Sequence, residues 1–385
     1  MAKYEVAAER VDRLVEALEI PETYYEQAIE RAKSISSWLT RPESMVLGYR
    51  PTVFPQGSFR LGTVVRPISK MDEYDLDLVC QLSSLSKETV SQERLKQLVG
   101  FELKAYAAAY RISKPVVESK RCWRLEYSDN IGFHIDCLPC VPEDCQTVRQ
   151  LVIQGVGPDY AQFAVAITCT EHRGYSIICS DWPSSSPAGF AKWFEHRIGK
   201  PGDEARNRLL REHRFSSIDE IPSYALRSPL QRSIQLMKRH RDVMFSGDLD
   251  LRPISMIISA VAGQAYQGEP DVWEATIGIL ERIPNFIRGS IPRVPNPVNL
   301  KEDFADKWQS NPALERNWHL WRAKALRDFH RLAQEDLLEQ SPDFIQKSFA
   351  VSTLTAANPT RKVAVSKFVD RSEVGVRPWG ELSIE

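Results

Sequence analysis

Gln56-Gly57-Ser58-Phe59-Arg60, followed after a short gap by Asp72-Glu73-Tyr74-Asp75-Leu76-Asp77-Leu78-Val79, is the stretch whose reading decides the fold. Its second half reads as a β-strand, because Leu76 and Leu78 alternate with Asp75 and Asp77 and successive strand side chains point to opposite faces. The leucines therefore face a core, and the two carboxylates share the other face. Charges that close repel unless a cation lies between them. Mg²⁺ is the natural one, a hard ion that takes oxygen ligands and commonly binds substrate phosphates at the same time. Gly57 lets backbone approach a phosphate closely, and the Ser58 hydroxyl is a donor for one.

A third acid follows. Arg121-Cys122-Trp123-Arg124-Leu125-Glu126-Tyr127 alternates like a strand, Ser128-Asp129-Asn130 reads as a turn, and Gly132-Phe133-His134-Ile135-Asp136-Cys137-Leu138 returns. Asp136 faces away from Ile135 and Cys137 on that return strand. Laid beside the first strand, it would bring three carboxylates to one face, enough to hold two metal ions in the geometry used for in-line displacement at phosphorus. A Gly-Ser pair alone is common, and an Asp-x-Asp pair is more often a solvated strand face. The apolar setting of Tyr74 to Cys80 argues otherwise, because buried carboxylates need partners.

Together, Gln56-Gly57-Ser58, Asp75-x-Asp77 and Asp136 resemble the signature of the polymerase-β-type nucleotidyltransferases. The wider chain resembles the bacterial CD-NTases, relatives of cyclic GMP-AMP synthase that make cyclic oligonucleotide signals in anti-phage defence. Ser180 to Phe194, Leu226 to Arg232 and Lys238-Arg239-His240-Arg241 carry this narrower likeness, which covers most of residues 45–265. The resemblance implies an α+β fold: a nucleotidyltransferase lobe with a mixed sheet and flanking helices, a helical lobe, and an active site in the cleft between them. It assigns Asp75, Asp77 and Asp136 to catalysis and to two Mg²⁺ ions, with Mn²⁺ able to substitute. It assigns Gln56, Gly57, Ser58, Lys238 and Ser255 to nucleotide binding. It also implies ATP and GTP as substrates, a cyclic GMP-AMP-type product, release of pyrophosphate, and a separate effector protein that binds the product. The alternative with the same chemistry is a template-independent RNA-end polymerase, or a transferase acting on a protein or a tRNA. A catalytically dead scaffold is disfavoured by the presence of all three acids. Some relatives are modified through a C-terminal Gly or Ala; this chain ends Leu382-Ser383-Ile384-Glu385, a departure from that pattern.

Bulk properties bound the reading. A chain of 385 residues is long enough for two cored lobes. A net charge of −1 argues against a protein that coats nucleic acid, and gives no sign of the basic path an RNA-end polymerase needs. Met1 to Leu18 reads as a charged amphipathic helix rather than a signal peptide, and the longest apolar stretch, Ile254 to Gly263, is too short to span a bilayer. An odd number of cysteines, seven, fits reduced thiols. A cytoplasmic enzyme with no membrane partner is expected. His134, Cys137, Cys140 and Cys145 invite a zinc reading, but their spacing fits no usual knuckle and Pro139 and Pro142 interrupt it. Buried small hydrophobes are the expected role of those thiols.

Along the chain, helices are expected from Ala7 to Leu18, from Pro21 to about Leu39 and from Ser91 to Tyr110. Phe163 to Thr170 and Gly174 to Cys179 read as a second hairpin; residues 188–214 and most of the chain after 228 read as helix, broken between Pro284 and Pro297. The expected division is residues 1–225 for the catalytic lobe and 226–385 for the helical lobe. Ser228 is a good N-cap with Pro229 behind it, and Leu230, Ile234 and Met237 form the apolar stripe of a helix on which Lys238 and Arg241 share a face. A solvated basic helix end is the competing reading of Lys238 to Arg241. Arg60 and Arg66 suit either phosphate or surface salt bridges. Trp182, Trp193 and Phe194 are candidate base platforms that equally suit a core, while Trp308, Trp318, Trp321 and Phe329 are expected in a core. Arg206, Arg208, Arg211 and Arg214 suit a solvated helix face better than a nucleic-acid activator site.

Overall fold

The apolar alternation of Tyr74 to Leu82 forms the central strand of a mixed sheet in the computed structural model, which describes residues 2–69, 73–127, 132–199, 227–334, 341 and 343–351. That sheet runs β1 (Pro51–Gln56), β2 (Tyr74–Leu82), β5 (Phe133–Pro142), β4 (Trp123–Tyr127), β3 (Val117–Glu118). β2 and β5 are parallel, with Asp77 opposite Asp136, and the other pairs are antiparallel. A parallel pair needs a crossover. It is supplied by α4 (Gln92–Ala109), whose N-cap Ser91 accepts the Arg94 N–H at 3.2 Å. One face of the sheet packs Leu76, Leu78, Phe133, Ile135 and Cys137 against Leu95 and Val99 of α4 and Ile35 of α2 (Glu22–Leu39). By the two-residue period, Asp75, Asp77 and Asp136 emerge on the other face.

A second core joins α1 (Ala2–Leu18), α5 (Cys145–Ile153), α7 (Pro187–Ile198), α8 (Pro229–Met244), α9 (Ser255–Ala265), α10 (Val272–Arg282), α11 (Pro312–Arg331) and α12 (Phe344–Phe349). The capping box expected at Ser228 is formed with Gln231, and Leu230, Ile234 and Met237 are fully buried. The cores do not divide at residue 225. Val11, Leu14 and Leu18, with Phe190 and Phe194, pack in the helical core beside Ile234 and Met237. A linear cut misses this because α1, Leu61, α5 and α7 all enter the helical core before α8.

The second hairpin is also corrected. Only Val165–Ile167 is a strand, β6; it lies between β5 and β7 (Ser184–Ser185), not against residues 174–179. Residues 170–177 instead wind through tight turns: His172 accepts the Tyr175 N–H through its carbonyl at 2.9 Å and the Gly174 N–H through its ring at 3.1 Å. Helix is observed as far as Ile198. The rest of the expected 188–214 helix, with Arg206, Arg208, Arg211 and Arg214, lies outside the described residues. So do the Ser128 to Asn130 turn and the chain's last four residues. Trp308, Trp318, Trp321 and Phe329 are buried as expected. Among the described residues no helix is long and apolar enough to cross a membrane.

Candidate active site

The site begins where β1 ends. Gln56 lies opposite Asp77 in the β1–β2 register, and Gly57 turns the chain with φ +64 into the short helix α3 (Gly57–Arg60). A Cβ on residue 57 would sit 2.2 Å from Asp77 Oδ2, inside van der Waals contact. Glycine is required here twice over, by the positive φ and by the carboxylate. Gly57→Ala should therefore push Asp77 aside: any catalysis that depends on this carboxylate is expected to fall by about 100-fold, the cost of ångström-scale misplacement, while the far-UV circular dichroism spectrum stays unchanged.

The three acids meet as expected. β2 and β5 place Asp77 beside Asp136 and Asp75 beside His134. Burial, together with the nearby Asp75 and Asp136 charges, pushes the Asp77 carboxyl up to about 7, against the pull of Lys238 and Arg124. Asp75 keeps contact with solvent, yet crowding by protein raises its pKa as well, opposed by His134. On the other side of β5, Arg124 lies opposite Asp136 and grips it with two hydrogen bonds, Nε to Oδ1 at 2.8 Å and Nη2 to Oδ2 at 2.7 Å. This raises the arginine's pKa. Its role escaped the sequence reading, because a turn read at Ser128 to Asn130 centres on residue 129 and sets 124 opposite 134 rather than 136. At the rim, His134 contacts Glu73, while Glu126 is paired with Lys114 at 2.9 Å.

From the helical side comes Lys238. Its ammonium donates to Ser58 Oγ at 2.8 Å, to Thr63 Oγ1 at 3.0 Å and to the Thr63 carbonyl at 3.1 Å. Gln231 and Gln235, on the same face of α8, donate to the carbonyls of Leu61 at 2.9 Å and Val64 at 2.7 Å. A stripe of buried polar residues thus stitches α8 to the loop behind the Gly-Ser turn. The solvated-end reading fails, since Lys238, Arg239, His240 and Arg241 are all buried. Burial, then Arg241, lowers the Lys238 pKa from 10.5 to about 7, opposed by Asp242 and Asp77.

These two shifts give a pH signature. As pH rises from 3.8 to about 7, the folded protein keeps a proton on Asp77 that the unfolded chain has lost, so this group's contribution to stability falls. Between about 7 and 10.5 the unfolded chain keeps the Lys238 proton that the folded protein has lost, so stability rises again. The metal-free, nucleotide-free protein should show a stability minimum near neutrality that is missing from an Asp77→Asn/Lys238→Met protein. Urea unfolding from about pH 5 to 9 tests this.

Ser255 starts α9, where its hydroxyl accepts from Arg241 Nη1 at 2.9 Å. With Gln56, Gly57, Ser58, Asp77, Asp136, Arg124 and Lys238 it lines a cavity of about 770 Å³, ample for a nucleotide. The aromatic candidates do not line it. Trp182 is a side chain of the sheet-side core, while α7, by its helical spacing, turns Phe194 into the helical core and Trp193 against Gly263. Arg60 pairs with Glu195 at 2.6 Å, and Arg66 donates to the Glu19 carbonyl at 3.0 Å. Cys137 and Cys140 are buried in the sheet while Cys145 is exposed at the start of α5, so the four candidate zinc ligands do not converge.

The donor set suits a hard divalent cation. It is all oxygen, its charges repel, and Asp75 and Asp77 carry raised pKa values that a cation would reverse. Arg124 uses one lone pair on each Asp136 oxygen and leaves others open.

Comparison with known proteins bears on the family and the fold. Residues 51–140 match the model of the cyclic GMP-AMP synthase DncV-like nucleotidyltransferase domain. The chain is 30% identical over 319 residues to the c-di-GMP synthase of Roseivirga ehrenbergii, covering 80% of this chain and 74% of that protein. It is 26% identical over 311 residues to the cyclic dinucleotide synthase CdnG of Bradyrhizobium diazoefficiens, covering 76% of this chain and 67% of the relative. The solved structure of that CdnG in complex with GTP superposes with a TM-score of 0.61 at 22% identity, covering 90% of this chain and 96% of the other, which shows the shared fold. With Gly57, Ser58, Asp77, Asp136 and Lys238 lining one cleft, and a 30% identical relative matched over four-fifths of this chain, the chain belongs to the DncV-like family of nucleotidyltransferases, whose members include cyclic dinucleotide synthases.

Proposed function

We propose that this nucleotidyltransferase joins two purine ribonucleoside triphosphates into a cyclic dinucleotide, with GTP as the main substrate and cyclic di-GMP as the product. The carrying observation is the cleft in which Asp77 and Asp136 face Ser58 and Lys238. Base identity is supported by the name of the Roseivirga relative. A cyclic GMP-AMP-type product from ATP and GTP is the second reading, favoured by the description of the matching family model.

In this reading Asp75, Asp77 and Asp136 would hold two Mg²⁺ ions. When bound, the ions lower the pKa of the acceptor hydroxyl and neutralise charge on the departing pyrophosphate. Lys238 and Ser58 turn from each other to the donor triphosphate, giving charge-assisted and neutral hydrogen bonds. Gly57 keeps that end of the cleft open. Positioning and electrostatics then supply most of the rate. The linear intermediate turns round in the same cleft for the second transfer. A product-binding effector protein, a role in anti-phage defence, a cytoplasmic setting and independence from a nucleic-acid activator complete the proposal.

Purified protein incubated with α-labelled GTP, with and without ATP, in Mg²⁺ tests it, beside Asp75→Ala/Asp77→Ala protein. A phosphatase-resistant product from GTP alone, lost in the variant and on chelation, is expected. A product that requires both nucleotides moves the reading to cyclic GMP-AMP. Extended ladders point to an RNA-end polymerase, and no product at all to a transferase acting on protein or tRNA.

A further inference from the structure

Another wall of the cavity carries a carboxylate with no role in metal or phosphate binding. β8 (Pro295–Asn296) and β9 (Asn299–Asp303) form a two-stranded hairpin, and Glu302 of β9 points into the cavity. Its carboxylate accepts the Ser185 hydroxyl, at 2.9 Å on one oxygen and 3.0 Å on the other, and the Asn296 amide at 2.7 Å. Arg121, a cation that acts on it, is engaged with Asp306 at 3.6 Å instead. Asn299 donates to Ser184 Oγ at 2.9 Å and ties the hairpin to β7. Asn296 and Asn299 are fully buried, so the carboxylate is held rigidly. In the sheet, Ser185 lies across β6 from Pro142, six residues past Asp136, and thus well away from the three acids. Phe304 lines the same cavity from the same chain segment.

We propose that Glu302 reads the Watson–Crick edge of a guanine and so makes one of the two base positions select GTP over ATP. The inference rests on the cleft being a nucleotide site. A carboxylate has about four lone-pair positions. Ser185 shares one hydrogen between the two oxygens and Asn296 occupies one further position, which leaves acceptor capacity on both. Guanine presents two parallel donors, N1–H and the N2 amine, to such a pair. Adenine presents a lone pair at N1, which a carboxylate oxygen repels. A site built for a donor pair rejects the analogue lacking it, because its own buried acceptors are left unpaired. Burial raises the Glu302 pKa, while the Asn296 and Ser185 hydrogen bonds oppose the shift and favour the anion needed for two acceptors.

Calorimetric binding of GTP, ITP and ATP, with Ca²⁺ in place of Mg²⁺ to suppress turnover, tests this on unmodified and Glu302→Gln protein. Gln offers one acceptor and one donor, the pattern complementary to adenine. The GTP-to-ATP affinity ratio is expected to fall by about 5- to 150-fold, the worth of a bidentate base contact. ITP, which lacks the N2 amine, is expected to bind the unmodified protein more weakly than GTP. An unchanged ratio in the variant, or ITP bound as tightly as GTP by the unmodified protein, overturns the assignment while leaving the nucleotide site standing. Failure of the unmodified protein to bind any of the three overturns both.

Discussion

Replacing Asp77 with Asn is expected to abolish nucleotidyl transfer and at the same time to stabilise the metal-free protein. The carboxyl sits against Gly57, two residues from Asp75 and paired in register with Asp136, and its pKa of about 7 measures the cost of that crowding. Asn keeps the shape and removes the charge. Stability should rise by about 1–2 kcal/mol, typical of relieving a strained functional site, with the midpoint of thermal unfolding moving up accordingly. Turnover should fall by at least about 1,000-fold, since on the proposed mechanism the remaining acids would not hold the ion that carries the donor triphosphate. Labelled-GTP turnover and thermal melts on the same preparation separate the two effects. A variant that is both less stable and still active would assign Asp77 a structural role.

Lys238→Met is the second large effect. The ammonium is buried and hydrogen-bonded to Ser58 and Thr63, groups 180 and 175 residues away in the chain. In the free protein it is a costly buried cation, with a pKa brought down to about 7. With a triphosphate present it becomes a charge-assisted donor, of a kind whose loss costs about 2–5 kcal/mol. The Michaelis constant for GTP should rise by roughly 30-fold or more on that scale. Because Met fills the stem's volume, the loop tied by Gln231 and Gln235 should stay in place. Lys238→Arg should not rescue: the wider guanidinium cannot fit where three acceptors lie within 3.1 Å of one nitrogen. If Michaelis constants were unchanged in both variants, Lys238 would be only a stitch between the lobes.

Much of the site was legible because strand chemistry is local. Two-residue alternation is written in Tyr74 to Leu82 and in Phe133 to Leu138, so the shared face of Asp75 and Asp77, and the outward face of Asp136, follow from counting. The Ser228 cap and the α8 stripe were legible for the same reason, since a helix turn is also local. The failed second hairpin shows the limit. Residues 174–179 are apolar enough for a strand, but β6 found its partner in Ser184–Ser185 and left them to form turns around His172. The aromatic candidates failed in the same way: spacing says which rings share a helix face, not whether that face meets a cleft or a core.

What the sequence alone determined is therefore the chemistry: a Gly-Ser turn, three carboxylates on one sheet face, a lysine-bearing helix, and with them the nucleotidyltransferase class. What only the tertiary structure decided is who answers whom across the cleft. Lys238 on Ser58, the polar stripe of α8 on residues 61–64, and Glu302 on Ser185 join residues more than a hundred positions apart. No periodicity encodes such pairs. They arise because buried polar groups must find partners once two cores close on one another.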